Sequence, residues 1–294
     1  MATIASGLID SVVSSKVIQA FTDFLTPLNA FAIDYNETDE KTIEIPVIAV
    51  DAAHTFTAGT TAYSDNAGGT ATAVEVSIDQ HLYSPVMLND TQIMNSSKIR
   101  LEDLGYQAGA ALAKAVLADV MGEILVTNFT KSITKGSALF DYDTLVDIKD
   151  ECDDNLAPFN RSLVLNAAYY NALLKDDSIK SRAIIGADVA RSGMLPNLAG
   201  FKQVLECTCI PGNSENLVGF ACNPQAIALG VRYLRPQSGH NYIAARPVTD
   251  PETGLTIGLR QFYDEDKAIM YYAYECNYGF ETSMDAALVR LVSA

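Results

Sequence analysis

The chain has 294 residues, of which 49% are hydrophobic and only 19% charged, and this composition excludes wholesale disorder. Its 36 acidic residues against 20 basic ones give a formal net charge of −16, which argues against a surface that grips nucleic-acid phosphates or an anionic membrane. The uncharged runs are too short for a membrane span, and residues 1–9 lack the Lys or Arg of a secretory signal. Five cysteines are a sparse, odd set, which predicts reduced thiols in a cytosolic setting.

The sequence lacks the signatures of common catalytic sites. No G-x-S-x-G, G-x-G-x-x-G, H-E-x-x-H or Gly-Lys phosphate-loop pattern occurs. His54, His81 and His240 are far apart, and the first two lie in a polar stretch where a solvated histidine is the commoner case. Because a catalytic triad is assembled in space, a dispersed site stays open as an alternative. We predict that the chain is not an enzyme and holds no cofactor.

The only close cysteine pair is Cys207 and Cys209. On a strand both side chains point to the same face, so two thiolates could share a metal, but a further Cys or His would have to complete the site. Two buried strand cysteines are the better interpretation, because a free thiol packs like a small apolar group. The acidic run 150–154 lacks calcium-loop spacing and is typical of a solvated helix end. We predict no metal site.

Residues 1–30 show apolar positions at helical spacing up to Pro27, which cannot continue a helix. We expect this terminal segment to be separate from the main body and to dock on its own chain or on another. The predicted apolar stripe consists of Ile4, Leu8, Val12, Ile18, Phe21, Phe24 and Leu25.

Residues 42–97 predict a long two-stranded ribbon. Strands over 42–50 and 73–78 flank a stretch rich in Gly, Ala and Thr, with Gly68 and Gly69 as a turn signal. An isolated hairpin is marginally stable in water, so we expect the ribbon to lie against a neutral or basic partner surface. The segment holds no Lys or Arg and six acids, which are Glu44, Asp51, Asp65, Glu75, Asp79 and Asp90.

A long helix is predicted over 98–126, with Ser96 or Ser97 as its N-cap. At about 1.5 Å per residue it forms a rod of about 40 Å. Gly105 and Gly109, together with several alanines, keep this rod slim, so that neighbouring backbone can approach it closely.

From residue 141 the pattern alternates helices and strands. The predicted helices cover 143–152, 167–174 and 224–234, where Asn166 caps the second and Pro224 opens the third. The predicted strands cover 162–165, 201–210 and 217–222, and a loop covers 239–253.

The C-terminal region predicts strands over 255–263, 268–280 and 286–292, the first two joined by a polar turn. Alternate residues of the middle strand are aromatic or Cys, a pattern typical of a sheet core instead of a ligand platform. These residues are Tyr272, Tyr274, Cys276, Tyr278 and Phe280.

This order of arm, acidic ribbon, long helix, α/β insert and closing strands resembles the major capsid protein of tailed double-stranded-DNA bacteriophages, the Hong Kong phage capsid fold. Residues 162–176, SLVLNAAYYNALLKD, look like the family's strand-then-helix signature, although Ala167 stands where proline is common. Residues 198–211 are similar to the strand motif that follows in the family, and residues 271–292 resemble its closing hairpin.

The resemblance implies an α+β fold divided into recognisable parts. These are an N-terminal arm (1–41), an extended β-ribbon loop (42–97), an axial domain (151–261), and a peripheral domain formed by the spine helix (98–150) and the closing strands (262–294). Family members form pentamers and hexamers that close an icosahedral shell around double-stranded DNA. The implied partners are further copies of the chain and scaffolding, portal and decoration proteins, and the implied location is the virion capsid, assembled in the host cytoplasm.

The sequence departs from the family in two respects. Some members cross-link an extended-loop Lys to a neighbour's Asn with a Glu as base, but residues 42–97 contain no Lys, so we predict no such cross-link. No long charged extension precedes the arm, so we expect a separate scaffolding protein or none. The acidic charge suits an inner wall that encloses DNA without sequence-specific binding.

We predict that the acidic ribbon lies over basic residues of an adjacent subunit, near the start of the long helix. The predicted inter-subunit contacts are Asp51, Asp65, Gly68, Gly69, Glu75, Lys98 and Arg100. Three alternatives stay open: an encapsulin-type nanocompartment shell with the same fold, a tail component of a virion, and an α/β hydrolase or transferase with a dispersed active site.

Overall fold

The computed structural model describes residues 2–36, 41–48, 57–58, 71–91, 98–155, 157–180, 194–195, 197–237, 242–250 and 253–294. The helices are α1 (Ala2–Leu25), α2 (Lys98–Gly122), α3 (Tyr142–Asp154), α4 (Ala167–Lys175) and α5 (Asp177–Lys180). The strands are β1 (Ala32–Asn36), β2 (Thr42–Ile48), β3 (Ala71–Ser77), β4 (Gln80–Asn89), β5 (Ser132–Thr134), β6 (Ser162–Leu165), β7 (Gln203–Glu206), β8 (Leu217–Cys222), β9 (Ile227–Arg232), β10 (Ala244–Thr249), β11 (Thr256–Asp264), β12 (Ile269–Thr282) and β13 (Leu288–Val292).

The described strands form two large sheets and one hairpin. The six-stranded sheet has the order β1-β9-β12-β11-β10, with β4 also paired to β12. The five-stranded sheet has the order β5-β13-β8-β6-β7, and β2 pairs with β3 alone. Most pairs are antiparallel, while β1–β9, β5–β13 and β6–β7 are parallel. This combination of helices with largely antiparallel sheets confirms the predicted α+β class.

Helix α1 packs along α2, the spine helix, with their backbones in contact. A Cβ added at Gly105 would lie 2.8 Å from the carbonyl oxygen of Val13, and one at Gly109 would lie 2.5 Å from that of Val17. The predicted close approach at these glycines is therefore confirmed. Four of the fully buried positions of α1 recur every four residues, at Val13, Val17, Phe21 and Leu25.

The expected N-terminal stripe is partly wrong. Ile18 and Phe24 are only partly buried, because the glycine face of α2 selects the neighbouring face of α1. The segment is also not separate from the main body, since residues 13–32 contribute to the largest apolar core. The helix does end before Pro27, as predicted. The side chains of Ile4, Leu8 and Val12 lie outside the described residues.

The spine helix begins at Lys98 and ends at Gly122, earlier than the predicted residue 126. The side-chain amide of Asn213 donates to the carbonyl oxygens of Met121 and Ile124, both at 2.9 Å. These bonds satisfy carbonyl groups that the end of the helix leaves without intrahelical partners. The predicted caps Ser96 and Ser97 lie outside the described residues.

The aromatic face of β12 forms the centre of the six-stranded sheet's core, as predicted, except that Phe280 is only partly buried. Tyr272, Tyr274, Cys276 and Tyr278 are at most 1% exposed. The Tyr278 hydroxyl donates to the Asp119 carboxylate on the spine helix at 2.5 Å. Burial, followed by this hydrogen bond, raises the pKa of Tyr278, so the hydroxyl remains a donor. This bond ties the sheet to the spine helix.

The cap predicted for the strand-then-helix segment is confirmed. Strand β6 is buried throughout, and the Asn166 side chain then accepts from the backbone N–H of Tyr169 at 3.1 Å to begin α4. Asp141 caps α3 in the same way, and hydrogen bonds from Thr144 lower its pKa. Each cap is worth about 1 kcal/mol by analogy with measured N-caps.

Two predicted elements are wrong, because the sheet overrides local propensity. The helix expected over 224–234 is strand β9, whose residues 227–231 are all buried between β1 and β12. A short apolar run reads equally as a buried strand or a helix, and Pro224 opens a turn instead. The loop expected over 239–253 contains β10, an edge strand that tolerates Pro247.

Other boundaries were less accurate than the caps. The strand expected over 201–210 is confined to β7, and strands β1 and β5 were not predicted. The two long C-terminal strands and their turn are confirmed as the antiparallel pair β11–β12. No helix within the described ranges is both long and apolar enough to cross a lipid bilayer.

We expect Gly109→Ala to destabilise the protein by about 1–3 kcal/mol, because the new methyl group would collide with the α1 backbone. Gly122→Ala is the matched control, since no atom beyond the local helix backbone lies within 4 Å of a Cβ at that position. The control should be neutral or stabilising by up to about 1 kcal/mol through helix propensity. Urea unfolding of both variants measures the difference. A Gly109→Ala protein as stable as the control would contradict the backbone contact.

Candidate assembly surfaces

The β2–β3 hairpin rests at its base on the outer face of the six-stranded sheet. Ile43, Ile45, Val76 and Ile78 form a small apolar cluster with Ala228 of β9. The hairpin sits on the paired glycines of β9 and β12, Gly230 and Gly279, where an added Cβ would meet Ile43 and the Ser77 backbone. The apolar face of the hairpin base is therefore fixed on its own chain, whereas its opposite face, which carries Glu44 and Glu75, is exposed.

Strand β4 corrects the predicted extent of the ribbon. It lies within 42–97, yet it pairs with β12 from Gln80 opposite Tyr278 to Asn89 opposite Ile269. Only Val86 and Leu88 of this strand are buried, so its sequence carries little of the apolar alternation that identifies a strand. The described ribbon is therefore the β2–β3 pair, and β4 belongs to the body of the protein.

The structure places one predicted contact residue directly beside another acid. Glu75 is exposed on β3 and lies opposite Glu44 of β2, which is also exposed. Like charges directly opposite each other in an antiparallel pair are destabilising. Because residues 42–97 contain no Lys or Arg, any cation that relieves this repulsion must come from outside the segment.

The side chains of the other predicted contact residues lie outside the described part of the structure. Lys98 and Arg100 begin the spine helix, but their side chains lie outside the described residues. The remaining four lie outside the described residues altogether and are Asp51, Asp65, Gly68 and Gly69.

An apolar row crosses the outer face of the six-stranded sheet beyond the hairpin. Met87 lies opposite Tyr271, which in turn lies opposite Phe262. The rings of Phe262 and Tyr271 stack at 4.9 Å, and the ring of Tyr242 lies 6.2 Å from that of Phe262. Met87 and Ile243 are each 55% exposed. Contiguous exposed apolar surface of this kind marks interaction sites.

Beside this row lies a charged network that the sequence did not indicate. Glu275 is 5% exposed and accepts from Arg260 Nε at 2.7 Å. Its other oxygen lies 3.2 Å from His81 Nε2. Arg260 also packs over the ring of Tyr242 at 5.8 Å. These charges are far apart in sequence and meet only because β4, β11 and β12 are neighbours, so no spacing pattern could have found them.

The histidines considered for a dispersed catalytic site are therefore only partly placed. His81 is engaged with Glu275 on the sheet face, whereas His54 and His240 lie outside the described residues. Within the described ranges, no group of three or more His, Cys, Asp or Glu side chains is arranged to hold a metal ion.

The cysteine pair does not lie on a strand as expected. Strand β7 ends at Glu206, where the Cys207 N–H donates to the Leu165 carbonyl at 2.8 Å, and the chain then turns. Cys207 is buried, but Cys209 is partly exposed. The acidic run 150–154 does end a helix, and Asp153 there binds Arg161 and Lys149.

Comparison with known proteins places this geometry in a known fold. No protein-family model and no curated protein sequence matches the chain. The capsid structure of the cyanophage P-SCSP1u matches with a TM-score of 0.63 and 15% identity over 90% of this chain and 86% of that one. The capsid of the native GTA particle matches with a TM-score of 0.59 and 16% identity over 91% and 90%.

A virus-like particle from Pyrococcus furiosus also matches, with a TM-score of 0.58 and 14% identity over 95% of this chain and 97% of that one. At these identities the comparisons establish the fold, not the activity. The chain has the fold of capsid shell subunits, which confirms the Hong Kong phage capsid fold expected from the order of elements.

We expect Arg260→Met to cost about 3 kcal/mol of stability, because it leaves the buried Glu275 carboxylate without its main partner. Replacing both residues by Met should restore most of the loss, since no uncompensated buried charge then remains. Urea unfolding of the two single variants and the double variant measures this coupling. A double variant less stable than Arg260→Met alone would contradict the pairing.

Proposed function

We propose that the chain is the major capsid protein of a tailed bacteriophage, a structural subunit without catalytic activity. Copies of the chain assemble as pentamers and hexamers into an icosahedral shell that encloses double-stranded DNA. The observation that carries this proposal is the similarity of fold to a phage capsid over 90% of the chain. Its immediate partners are further copies of itself, and scaffolding, portal and decoration proteins are proposed further partners. Its place is the virion, assembled in the host cytoplasm.

The charge of the hairpin supports contacts between subunits. Glu44 and Glu75 face each other on the exposed face of the hairpin, in a segment without Lys or Arg, while the opposite apolar face is seated on its own chain. We infer that the acidic ribbon lies over Lys98 and Arg100 of an adjacent subunit. The ribbon residues at this contact are Asp51, Asp65, Gly68, Gly69 and Glu75. Each exposed pair contributes only about 0–1 kcal/mol, but the pairs repeat across a shell.

We assign the parts of the chain as the resemblance implies. Residues 1–41 are the arm, 42–97 the extended loop, 151–261 the axial domain, and 98–150 with 262–294 the peripheral domain. Sheet membership supports moving several strands across these boundaries. Strands β9 to β11 pair in the sheet of β12, which lies on the spine helix, whereas β13 pairs with β8 in the five-stranded sheet.

An encapsulin-type nanocompartment shell is the second candidate. The match to the structure from Pyrococcus furiosus covers 97% of that chain and favours this candidate, because that structure is described as a virus-like particle and not as a phage capsid. Both candidates are shells of the same fold and differ in contents. Double-stranded DNA inside particles from the natural source supports the capsid, and a bound cargo protein supports the nanocompartment.

Self-assembly is tested by light scattering of the purified recombinant protein, followed by negative-stain electron microscopy of the largest species. We expect closed shells or rings of subunits, because a monomer would leave the apolar row and the acidic ribbon facing solvent. A stable monomer or dimer at every protein and salt concentration would contradict self-assembly and reopen the dispersed-site alternative, beginning with His54, His81 and His240.

We expect Glu75→Lys to impair assembly without unfolding the subunit. Within the hairpin the new Lys faces Glu44 and should stabilise the subunit by about 0.2–1 kcal/mol. A loss of assembly must therefore arise between subunits. Glu75→Gln is the control, since it removes the repulsion without adding a cation. Combining Glu75→Lys with Lys98→Glu and Arg100→Glu should restore shells. Normal shells from the Lys98→Glu/Arg100→Glu variant alone would refute the pairing.

We also expect shells to dissociate into single chains on a denaturing gel. The cross-link of some related capsids needs a Lys in the extended loop, and residues 42–97 contain none. A ladder of covalent multimers that resists boiling in detergent and reductant would overturn this prediction.

A further inference from the structure

Cys207 and Cys209 lie side by side at the wall of a small cavity. The turn that follows β7 carries both residues, and they line a cavity of about 270 Å³. Its other walls include Asp23 and Phe24 of α1 and Leu117 of the spine helix. The pair therefore sits where the five-stranded sheet meets the two packed helices, and a small solute can reach it.

The two thiols lie close together within one turn, at the wall of the same cavity. Burial raises the pKa of Cys207, and hydrogen bonding to the backbone N–H and the thiol of Cys209 is among the other influences on this pKa. Residues two apart in the chain have Cα atoms at most about 7 Å apart, and a disulfide takes about 4.4–6.8 Å. A bond between the sulfurs therefore needs movement within the turn only and leaves β7 in place.

Cys209 differs from the other cysteines in its access to solvent. All five lie in the described part of the chain, and Cys209 alone is not buried. Cys222 donates to the carbonyl oxygens of Ala30 and Ser162, at 3.3 and 3.6 Å, deep in the core. Burial also raises the pKa of Cys152 to about 11 and that of Cys276 to about 12, so these thiols stay protonated.

We propose that Cys207 and Cys209 form a redox modification site, which a peroxide converts into a disulfide within the turn. The inference stands on the position of both residues in one turn and on the open cavity that both line. It holds whether or not the chain assembles into a shell.

The chemistry divides between the two residues by exposure. The Cys209 thiolate attacks one oxygen of hydrogen peroxide, the O–O bond breaks, and hydroxide leaves a sulfenic acid on Cys209. The Cys207 sulfur then attacks Sγ of Cys209, so the S–S bond forms and the S–O bond breaks. The Cys207 proton leaves with the sulfenic hydroxyl as water. In total the dithiol loses two electrons and two protons, and one peroxide becomes two waters.

The modification would respond to the surroundings of the protein. Thiols persist in a reducing cytosol, whereas disulfides persist in oxidising environments. Burial raises the pKa of Cys207 to about 11, which favours Cys209 as the thiol that meets the peroxide first. A closed disulfide would remove freedom from a turn that contacts α1 and the spine helix.

The test uses the native full-length protein, treated with hydrogen peroxide and then with a thiol-blocking maleimide after unfolding. Trypsin cleaves after Lys202 and Arg232, so one peptide carries Cys207, Cys209 and, as an internal control, Cys222. We expect a peptide that has lost two hydrogen atoms and carries a single maleimide, located on Cys222. Treatment with a reductant before blocking should restore three maleimides.

Other outcomes would overturn the proposal. Three maleimides after peroxide treatment would mean that the dithiol does not react. Sulfinic or sulfonic acid on Cys209 of the native sequence, with Cys207 still blocked by maleimide, would mean that Cys207 is out of reach.

The Cys207→Ala variant, which keeps Cys209, is the matched control. In this variant we expect over-oxidation of Cys209 in place of the disulfide. The same disulfide yield in protein oxidised after unfolding and in native protein would show that the fold does not promote the pairing.

Discussion

The backbone contact between α1 and the spine helix is the constraint on which the rest of the fold depends. Gly105 and Gly109 remove side chains along one face of the spine, so α1 can lie against it at the level of Val13 and Val17. With α1 fixed there, Phe21 and Leu25 enter the core that the aromatic face of β12 completes. Helix, helix and sheet therefore form one body, and the N-terminal segment is part of that body.

The two faces of the six-stranded sheet serve different purposes. The inner face is aromatic and joined to the spine helix through Tyr278 and Asp119. The outer face carries a glycine seat for the hairpin, the Glu275–Arg260 pair and a row of exposed apolar side chains. A free monomer gains nothing from like charges at Glu44 and Glu75 or from an exposed Met87. Both features are consistent with a surface that is completed by other subunits.

Much of the fold can be predicted from local sequence. The predictions that were wrong concern strands whose local sequence carries no clear pattern. The caps at Asn166 and Asp141 depend on residues three positions away, so local chemistry decides them. Strand β9 depends on β1 and β12, which lie far away in sequence, and its apolar run carries no periodicity of its own. Strand β4 was missed for a different reason: most of its side chains are exposed, whereas those of β9 are buried.

The α+β class was implied by the resemblance to a capsid family. The sequence by itself determined the spine helix with its slim glycine face, the aromatic core strand and the acidic ribbon without Lys or Arg. These properties follow from composition and short-range periodicity, which are complete within a few turns or strands of chain. Only the tertiary structure decided that the hairpin base rests on its own sheet, that Glu275 meets Arg260 and His81, and that Cys207 and Cys209 lie in a turn beside a cavity. The first two are contacts between distant segments, and the last depends on where β7 ends, so the physical reason is long-range pairing that local sequence does not encode.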